Sequence, residues 1–220
     1  MNEESAVLGI DGGIRNIVAC SDNSFFNLKH LRAVKGRYQY LRRRLQHVGI
    51  RSAKRRLKLL AGGERRFVLN VNHKISKAIV LKPFNVFAVE RLRDLKKKKR
   101  NGKRFNSKLG SWSFAQLRYF LRYKAEQVGK RVVAVNPRHT SQRCSRCGYI
   151  NRANRKGAWF KCGRCGFELD ADLNASRNIA LLGRSQLSRL FVNAPDVASD
   201  EAMPTGLVDD SYKPTPFRGG

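Results

Sequence analysis

The chain has 220 residues, with 46 Lys and Arg against 16 Asp and Glu and a formal net charge of +30. That length suits one or two domains with a proper core, and a hydrophobic content of 41% excludes a wholly disordered polycation. No apolar run approaches the roughly 18 residues that cross a bilayer, and Met1-Asn2-Glu3-Glu4-Ser5 is no signal peptide. A cytoplasmic chain with no membrane partner is therefore expected, and the charge points to a polyanion, most simply nucleic acid.

In chain order, Ala6–Ile10 reads as a buried strand ending in Asp11-Gly12-Gly13. Ile14–Cys20 and Phe25–Leu28 follow as strands across the turn Ser21-Asp22-Asn23-Ser24, making a meander with Cys20 as a core thiol. Tyr38, Leu41, Leu45 and Val48 then fall at helical spacing, interleaved with Arg42, Arg43 and Arg44. Basic residues continue after Gly49 through Arg55 and Arg56, and the pair Gly62-Gly63 is expected to break this element. Phe67, Val71, Ile75 and Ile79 mark a further helix closed by Pro83, and Asn85–Glu90 a strand ending in a carboxylate.

A basic loop follows, with nine Lys and Arg between Arg91 and Arg104, including Lys96, Lys97, Lys98, Lys99 and Arg100 in succession. Phe114, Leu117, Leu121, Ala125 and Val128 form a helical stripe ended by Gly129, and Val132–Val135 a strand. A last helix carries Ala175, Ile179 and Leu182. The expected order is β-β-β-α-α-β-α-β, an insert, then α: a mixed α/β domain. From Gln186 onward acids outnumber bases, five to three, and four of the six prolines gather, so 186–220 is expected to be a flexible tail.

Four of the five cysteines form one pattern, Cys144-x2-Cys147 and, after fourteen intervening residues, Cys162-x2-Cys165. Each pair can aim two thiolates at one ion, and a hairpin over the intervening span completes a tetrahedral zinc site. Gly148 and Gly166 follow the pairs, where the turns need a positive φ. Four thiolates leave no open position, so the zinc is expected to be structural. Two disulfides are the alternative, which the reducing compartment disfavours. Arg138, Arg143, Arg146, Arg152, Arg155, Lys156, Lys161 and Arg164 decorate this ribbon. Trp159 and Phe160 suit base stacking, and one of them is expected to pack the ribbon core instead.

The first 185 residues hold only eleven acids, so their placement is informative. Asp11 and Glu90 end the first and fourth strands, and Asp170 and Asp172 precede the last helix. In open α/β sheets functional groups gather at the carboxyl ends of strands. Three carboxylates brought together are costly without cations, and hard oxygen ligands suit Mg or Mn in two-ion phosphodiester chemistry. Taken singly, Asp172 also fits a helix cap, Glu90 an ion pair with Arg91 or Arg93, and Asp11 a plain turn residue.

Gly9-Ile10-Asp11-Gly12-Gly13-Ile14-Arg15-Asn16 resembles the first RuvC motif of TnpB, the transposon-encoded OrfB-type transposase family. Asn72–Lys77 resembles its helix before the second motif, and Val89-Glu90-Arg91-Leu92 that second motif. Thr140–Gly148 resembles its zinc-ribbon opening and Leu169–Ala175 its third catalytic motif. Type V CRISPR effectors are related nucleases. The resemblance implies an RNase H-like (RuvC) mixed sheet with helices and an inserted zinc ribbon. On it, residues 1–139 are the first part of the core, 140–168 the ribbon and 169–185 the last motif and helix.

It also implies that Asp11, Glu90 and Asp172 form a metal-binding catalytic triad, with Asp170 as the alternative third ligand. His73 is expected to serve packing rather than proton transfer. Gly12 stands where the family often has a larger apolar residue, and the recognition region that precedes the first motif in full-length relatives is expected to be lacking. The implied partners are DNA, a guide RNA, and a separate recognition module or partner chain. Arg42, Arg43, Arg44, Arg55, Arg56, Lys96, Lys97, Lys98, Lys99, Arg100, Arg138 and Arg143 are the expected nucleic-acid contacts. The function expected is a metal-dependent endodeoxyribonuclease, hydrolysing rather than transferring strands. The alternative is a non-catalytic nucleic-acid-binding regulator of transposition.

Overall fold

The computed structural model describes residues 7–13, 16–27, 29–91 and 114–192. The basic run Lys96–Arg100 lies outside the described residues, as does the chain from 193 onward. Strands β1 (Val7–Asp11), β2 (Asn16–Cys20) and β3 (Phe25–Asn27) form the expected meander. Helices α1 (Lys29–Val48) and α2 (Arg51–Val80) make a long hairpin, followed by β4 (Val86–Glu90), α3 (Phe114–Gln127) and β5 (Arg131–Val135). The sheet runs β3-β2-β1-β4-β5, antiparallel within the meander and parallel for β1, β4 and β5. Strands β6 (Arg155–Lys156), β7 (Trp159–Lys161) and β8 (Glu168–Asp170) build a second, small sheet, and α4 (Ala171–Val192) closes the described fold.

Alternation along the central strands sorts the core into two layers. Leu8, Ile10, Phe87 and Val89 face α2 and α3, packing with Ile75, Ile79, Leu117 and Leu121. Val7, Val86 and Ala88 face the other way, onto Ile179 and Leu187 of α4. The same alternation assigns Asp11 and Glu90 to the α4 side.

Two close approaches press α4 onto the sheet. A Cβ on Gly9 would stand 1.9 Å from the Ser176 carbonyl oxygen, and one on Gly183 would stand 2.6 Å from the Ala88 Cβ. Leu187 joins this layer, so the helix continues to Val192, beyond the end expected at 185.

Gly62-Gly63 do not break α2, which is continuous over 30 residues. The glycines sit where α1 crosses closely: a Cβ on Gly63 would meet the Tyr38 hydroxyl at 3.1 Å. Glu64 beside them is the seam's acid, paired with Arg42 and lying 3.8 Å from Lys35. Packing and this ion pair outweigh the roughly 1 kcal/mol helix cost of each glycine.

Candidate metal centre and carboxylate site

The ribbon brings the four cysteines together as expected. Cys144 Sγ lies 3.8 Å from Cys165 Sγ and Cys147 Sγ 3.6 Å from Cys162 Sγ, with all four sulfurs within 4.8 Å of one another. Four sulfurs at about 2.3 Å from one ion in tetrahedral array stand about 3.8 Å apart, whereas a disulfide needs about 2.05 Å. The set therefore fits a metal such as zinc.

Gly148 and Gly166 have φ of 75° and 69°, closing the two Cys-x-x-Cys turns. Burial raises the Cys162 thiol, but the N–H groups of Cys165 and Arg164 outweigh it and favour the thiolate. Buried Asn154 ties the turns together, its amide nitrogen donating to the Gln142 carbonyl at 3.1 Å and its oxygen accepting from Gly163 N–H at 3.0 Å. Phe160 is the ribbon's core residue, and Trp159 is 53% exposed.

The carboxylates converge by register. Ile10 pairs with Val89 across the parallel strands, so Asp11 and Glu90 end them side by side. Asp172 enters from α4: it stands one turn before Ser176, whose carbonyl abuts Gly9, and its Oδ2 would lie 3.1 Å from a Cβ on Gly13. Asp11 is 8% exposed, and its carboxyl is held well above the ordinary range by burial, then by Glu90 and Asp172. Burial also raises Glu90, opposed by the Thr140 hydroxyl and Arg155.

Among the described residues the carboxylates, as a set, do not close to within 4.8 Å. Hard oxygen donors, buried and mutually repelling, are nevertheless the chemistry that takes up Mg or Mn.

Asp170 and Asp172 both help to raise the Asp11 carboxyl, and they differ in their hydrogen bonds. Asp170 Oδ1 accepts from the N–H groups of Asp172 and Leu173, at 2.9 and 3.1 Å, and so caps α4. The Asp172 carboxylate accepts instead from Arg155, whose guanidinium donates to its Oδ1 at 2.9 Å. Arg155 is the site residue that sequence reading missed. It appeared there only as one of many ribbon arginines, and nothing in its local sequence separates it from Arg152 or Arg164.

The alternative reading of Glu90, an ion pair with Arg91 or Arg93, finds no support in its described partners, and Arg93 lies outside the described residues. The Glu90 side chain accepts from Thr140 instead, and its main-chain carbonyl from Arg118 at 3.3 Å. Phe114 fills the space over Gly12, where a Cβ would meet its ring at 2.6 Å. The departure at Gly12 is thus matched by an aromatic side chain on α3. His73 stacks on Phe120 with centroids 4.0 Å apart, the packing role expected of it.

Of the expected nucleic-acid contacts, Arg43, Arg44, Arg55 and Arg56 are exposed along the hairpin, and Arg138 and Arg143 are exposed at the ribbon's entrance. Arg42 is half-buried against Glu64.

Two family models match the chain, "Probable transposase" over residues 2–102 and "Cas12f1-like, TNB domain" over residues 114–179. The CRISPR-associated endodeoxyribonuclease Cas12f1 of Sulfoacidibacillus thermotolerans is 49% identical over 81 residues, covering 36% of this chain and 18% of that protein. The TnpB-like protein MJ0751 of Methanocaldococcus jannaschii is 31% identical over 156 residues, covering 69% of this chain and 52% of that protein. The cryo-EM structure of a Cas12f1–sgRNA–target DNA complex shares the fold, with a TM-score of 0.67 at 24% identity over 82% of this chain and 50% of that one. The chain spans between about a fifth and about half of the length of these relatives.

Proposed function

Because this chain is related to the TnpB-like proteins and to Cas12f1, we propose that it carries the RNase H-like (RuvC) nuclease core of a transposon-associated DNA endonuclease. The observation that carries the reading is the convergence of Asp11, Glu90 and Asp172 on the α4 side of the parallel strand ends. In it these three carboxylates hold divalent ions, Mg or Mn. Bound there, such ions supply the charge that activates water and stabilises the leaving oxygen of a phosphodiester.

The protein's own groups do the rest. Asp170 fixes the start of α4 and so the aim of Asp172. Arg155 brings a guanidinium to the carboxylates, suited to a substrate phosphate as well as to Asp172. Exposed Trp159 pairs in register with Asp170 across the ribbon sheet and offers a stacking face beside the site. The exposed hairpin arginines hold the polyanion without reading bases. A structural zinc on Cys144, Cys147, Cys162 and Cys165 holds the ribbon. DNA as substrate and an RNA guide as partner belong to the same proposal, as does action in a prokaryotic cytoplasm.

The test is cleavage of labelled single-stranded DNA by the zinc-loaded chain with Mg2+ or Mn2+, beside its Asp11→Ala form. Ion-dependent cleavage lost in the variant, with DNA binding retained, is the expected result. Equal cutting by both forms would refute the assignment. Binding without cutting by either would favour a second reading, a nucleic-acid-binding accessory of transposition, for which the +30 charge alone is sufficient.

A further inference from the structure

One buried hydrogen-bonded chain links the ribbon to the carboxylate site without using a cysteine or Asp172. After β5 the backbone turns at His139, whose φ is 65°, into Thr140, which is 3% exposed. The Thr140 hydroxyl donates to Glu90 Oε1 at 2.5 Å, and the Pro137 carbonyl, 3.0 Å away, is the alternative acceptor for the same proton. The Thr140 carbonyl accepts from Asn178 Nδ2 at 2.9 Å, and the same amide donates to the Arg143 carbonyl at 2.7 Å.

Asn174, one turn earlier on α4, donates to that Arg143 carbonyl at 2.8 Å and accepts from Ser145 N–H at 3.0 Å. Both asparagines are buried, at 0% and 2% exposure. A buried amide is costly unless its polar atoms are used. Asn178 leaves its oxygen without a partner and spends its nitrogen on two carbonyls of this loop. Its retained function is therefore donation.

The loop so gripped, 140–145, carries Thr140 at one end and Cys144 near the other. Helix α4 thus clamps the segment that leads into the first Cys-x-x-Cys turn, and the clamped segment delivers a hydroxyl to Glu90. A glutamate at a strand end has three side-chain torsions to fix, and a buried donor held from behind fixes them.

We propose that Thr140 is a positioning residue for Glu90, and that the Asn174–Asn178 clamp makes this positioning depend on the folded ribbon. The proposal rests on reading Asp11, Glu90 and Asp172 as an ion site. The ribbon then sets the carboxylate geometry from two sides, through Thr140 on Glu90 and Arg155 on Asp172.

The test measures Mn2+ affinity by calorimetry on the full, zinc-loaded chain without nucleic acid, with Asp11→Asn as the baseline for other sites. Thr140→Val keeps the shape and removes the donor; its Mn2+ affinity is expected to fall about tenfold. Thr140→Ser is expected to remain within about twofold of wild type, restoring the donor. Zinc content of one per chain and a single cooperative melting transition show that each variant is folded. Asn178→Leu is expected to weaken Mn2+ binding as Thr140→Val does, and the two together no more than either alone.

In cleavage assays the loss from Thr140→Val falls on kcat, with KM for DNA unchanged. Wild-type Mn2+ binding that Thr140→Val leaves intact, or that Thr140→Ser fails to restore, would overturn the positioning role alone. No Mn2+ binding by wild type would overturn the ion-site reading and this proposal with it.

Discussion

Arg155 on the ribbon and Asp172 on α4 are 17 positions apart in sequence and bonded at 2.9 Å, and this contact closes the carboxylate site from the ribbon side. Asp172 is nearly buried, with its side chain 6% exposed, and Arg155 is 30% exposed. Removing the partner of a largely buried charge leaves the other uncompensated.

Arg155→Ala is accordingly expected to lower stability by about 1–3 kcal/mol in buffer without Mg2+ or Mn2+. Added Mn2+ should recover more stability in the variant than in wild type, because the extra negative charge draws the ion more strongly. Cleavage should nonetheless fall, by roughly tenfold or more. Thermal unfolding with and without Mn2+ checks the first part; identical ion responses of the two proteins would contradict it.

The raised carboxyls of Asp11 and Glu90 give a pH dependence with a definite sign. A carboxyl whose folded-state value is raised binds more protons folded than unfolded, so its contribution to stability falls as pH rises from the ordinary carboxylate range through the raised value. Without divalent ions, wild type should lose stability relative to Asp11→Asn over that window. Mn2+ should reverse the loss at neutral pH and do little at acidic pH. Melting temperatures of both proteins across pH, with zinc retained, measure this difference; a gap that stays constant would refute it.

Gly9 is the point where α4 meets β1. Its replacement by Ala would drive a Cβ to 1.9 Å from the Ser176 carbonyl oxygen and 2.5 Å from the Ala180 nitrogen, both backbone atoms that cannot turn aside. The expected cost is about 3 kcal/mol, with Asp172 carried away from Asp11. Equilibrium denaturation reads the cost, and Mn2+ titration of the folded fraction reads the displacement. A Gly9→Ala protein as stable as wild type would show that α4 packs otherwise.

The ribbon depends on its four thiolates. Cys162→Ser, or stripping by a strong chelator, should reduce bound metal from one per chain to none and release amide protection over 140–168. Protection in α2 and α3, which pack the opposite face of the sheet, should persist. Hydrogen exchange followed by mass spectrometry distinguishes this from global unfolding, which would remove both together.

Replacing Arg43, Arg44, Arg55 and Arg56 by Gln should weaken single-stranded DNA binding and flatten its salt dependence, by about 0.7 in log–log slope for each phosphate that is no longer neutralised. Folding should be unaffected, since all four are exposed. Arg42→Gln should instead destabilise the hairpin, because its guanidinium pairs with Glu64 across the seam. An unchanged salt slope for the quadruple variant would move the binding surface elsewhere.

The order of elements, the four cysteines and the strand-end carboxylates were all legible in the sequence, because each rests on a local regularity. Strand alternation, helical spacing and Cys-x-x-Cys turns are written within a few residues of one another and need no knowledge of distant neighbours. The same locality explains the error at Gly62-Gly63, where helix propensity alone argues for a break. The crossing of α1 at Tyr38 and the pairing of Glu64 keep the helix whole.

The capping of α4 by Asp170, the arrival of Arg155 at Asp172, and the hold of Thr140 on Glu90 were decided only by the tertiary structure. Each is a contact made after the ribbon folds back and α4 docks on Gly9. Which of two neighbouring aspartates caps a helix, and which of many arginines reaches a buried carboxylate, depends on directions in space that sequence spacing does not encode.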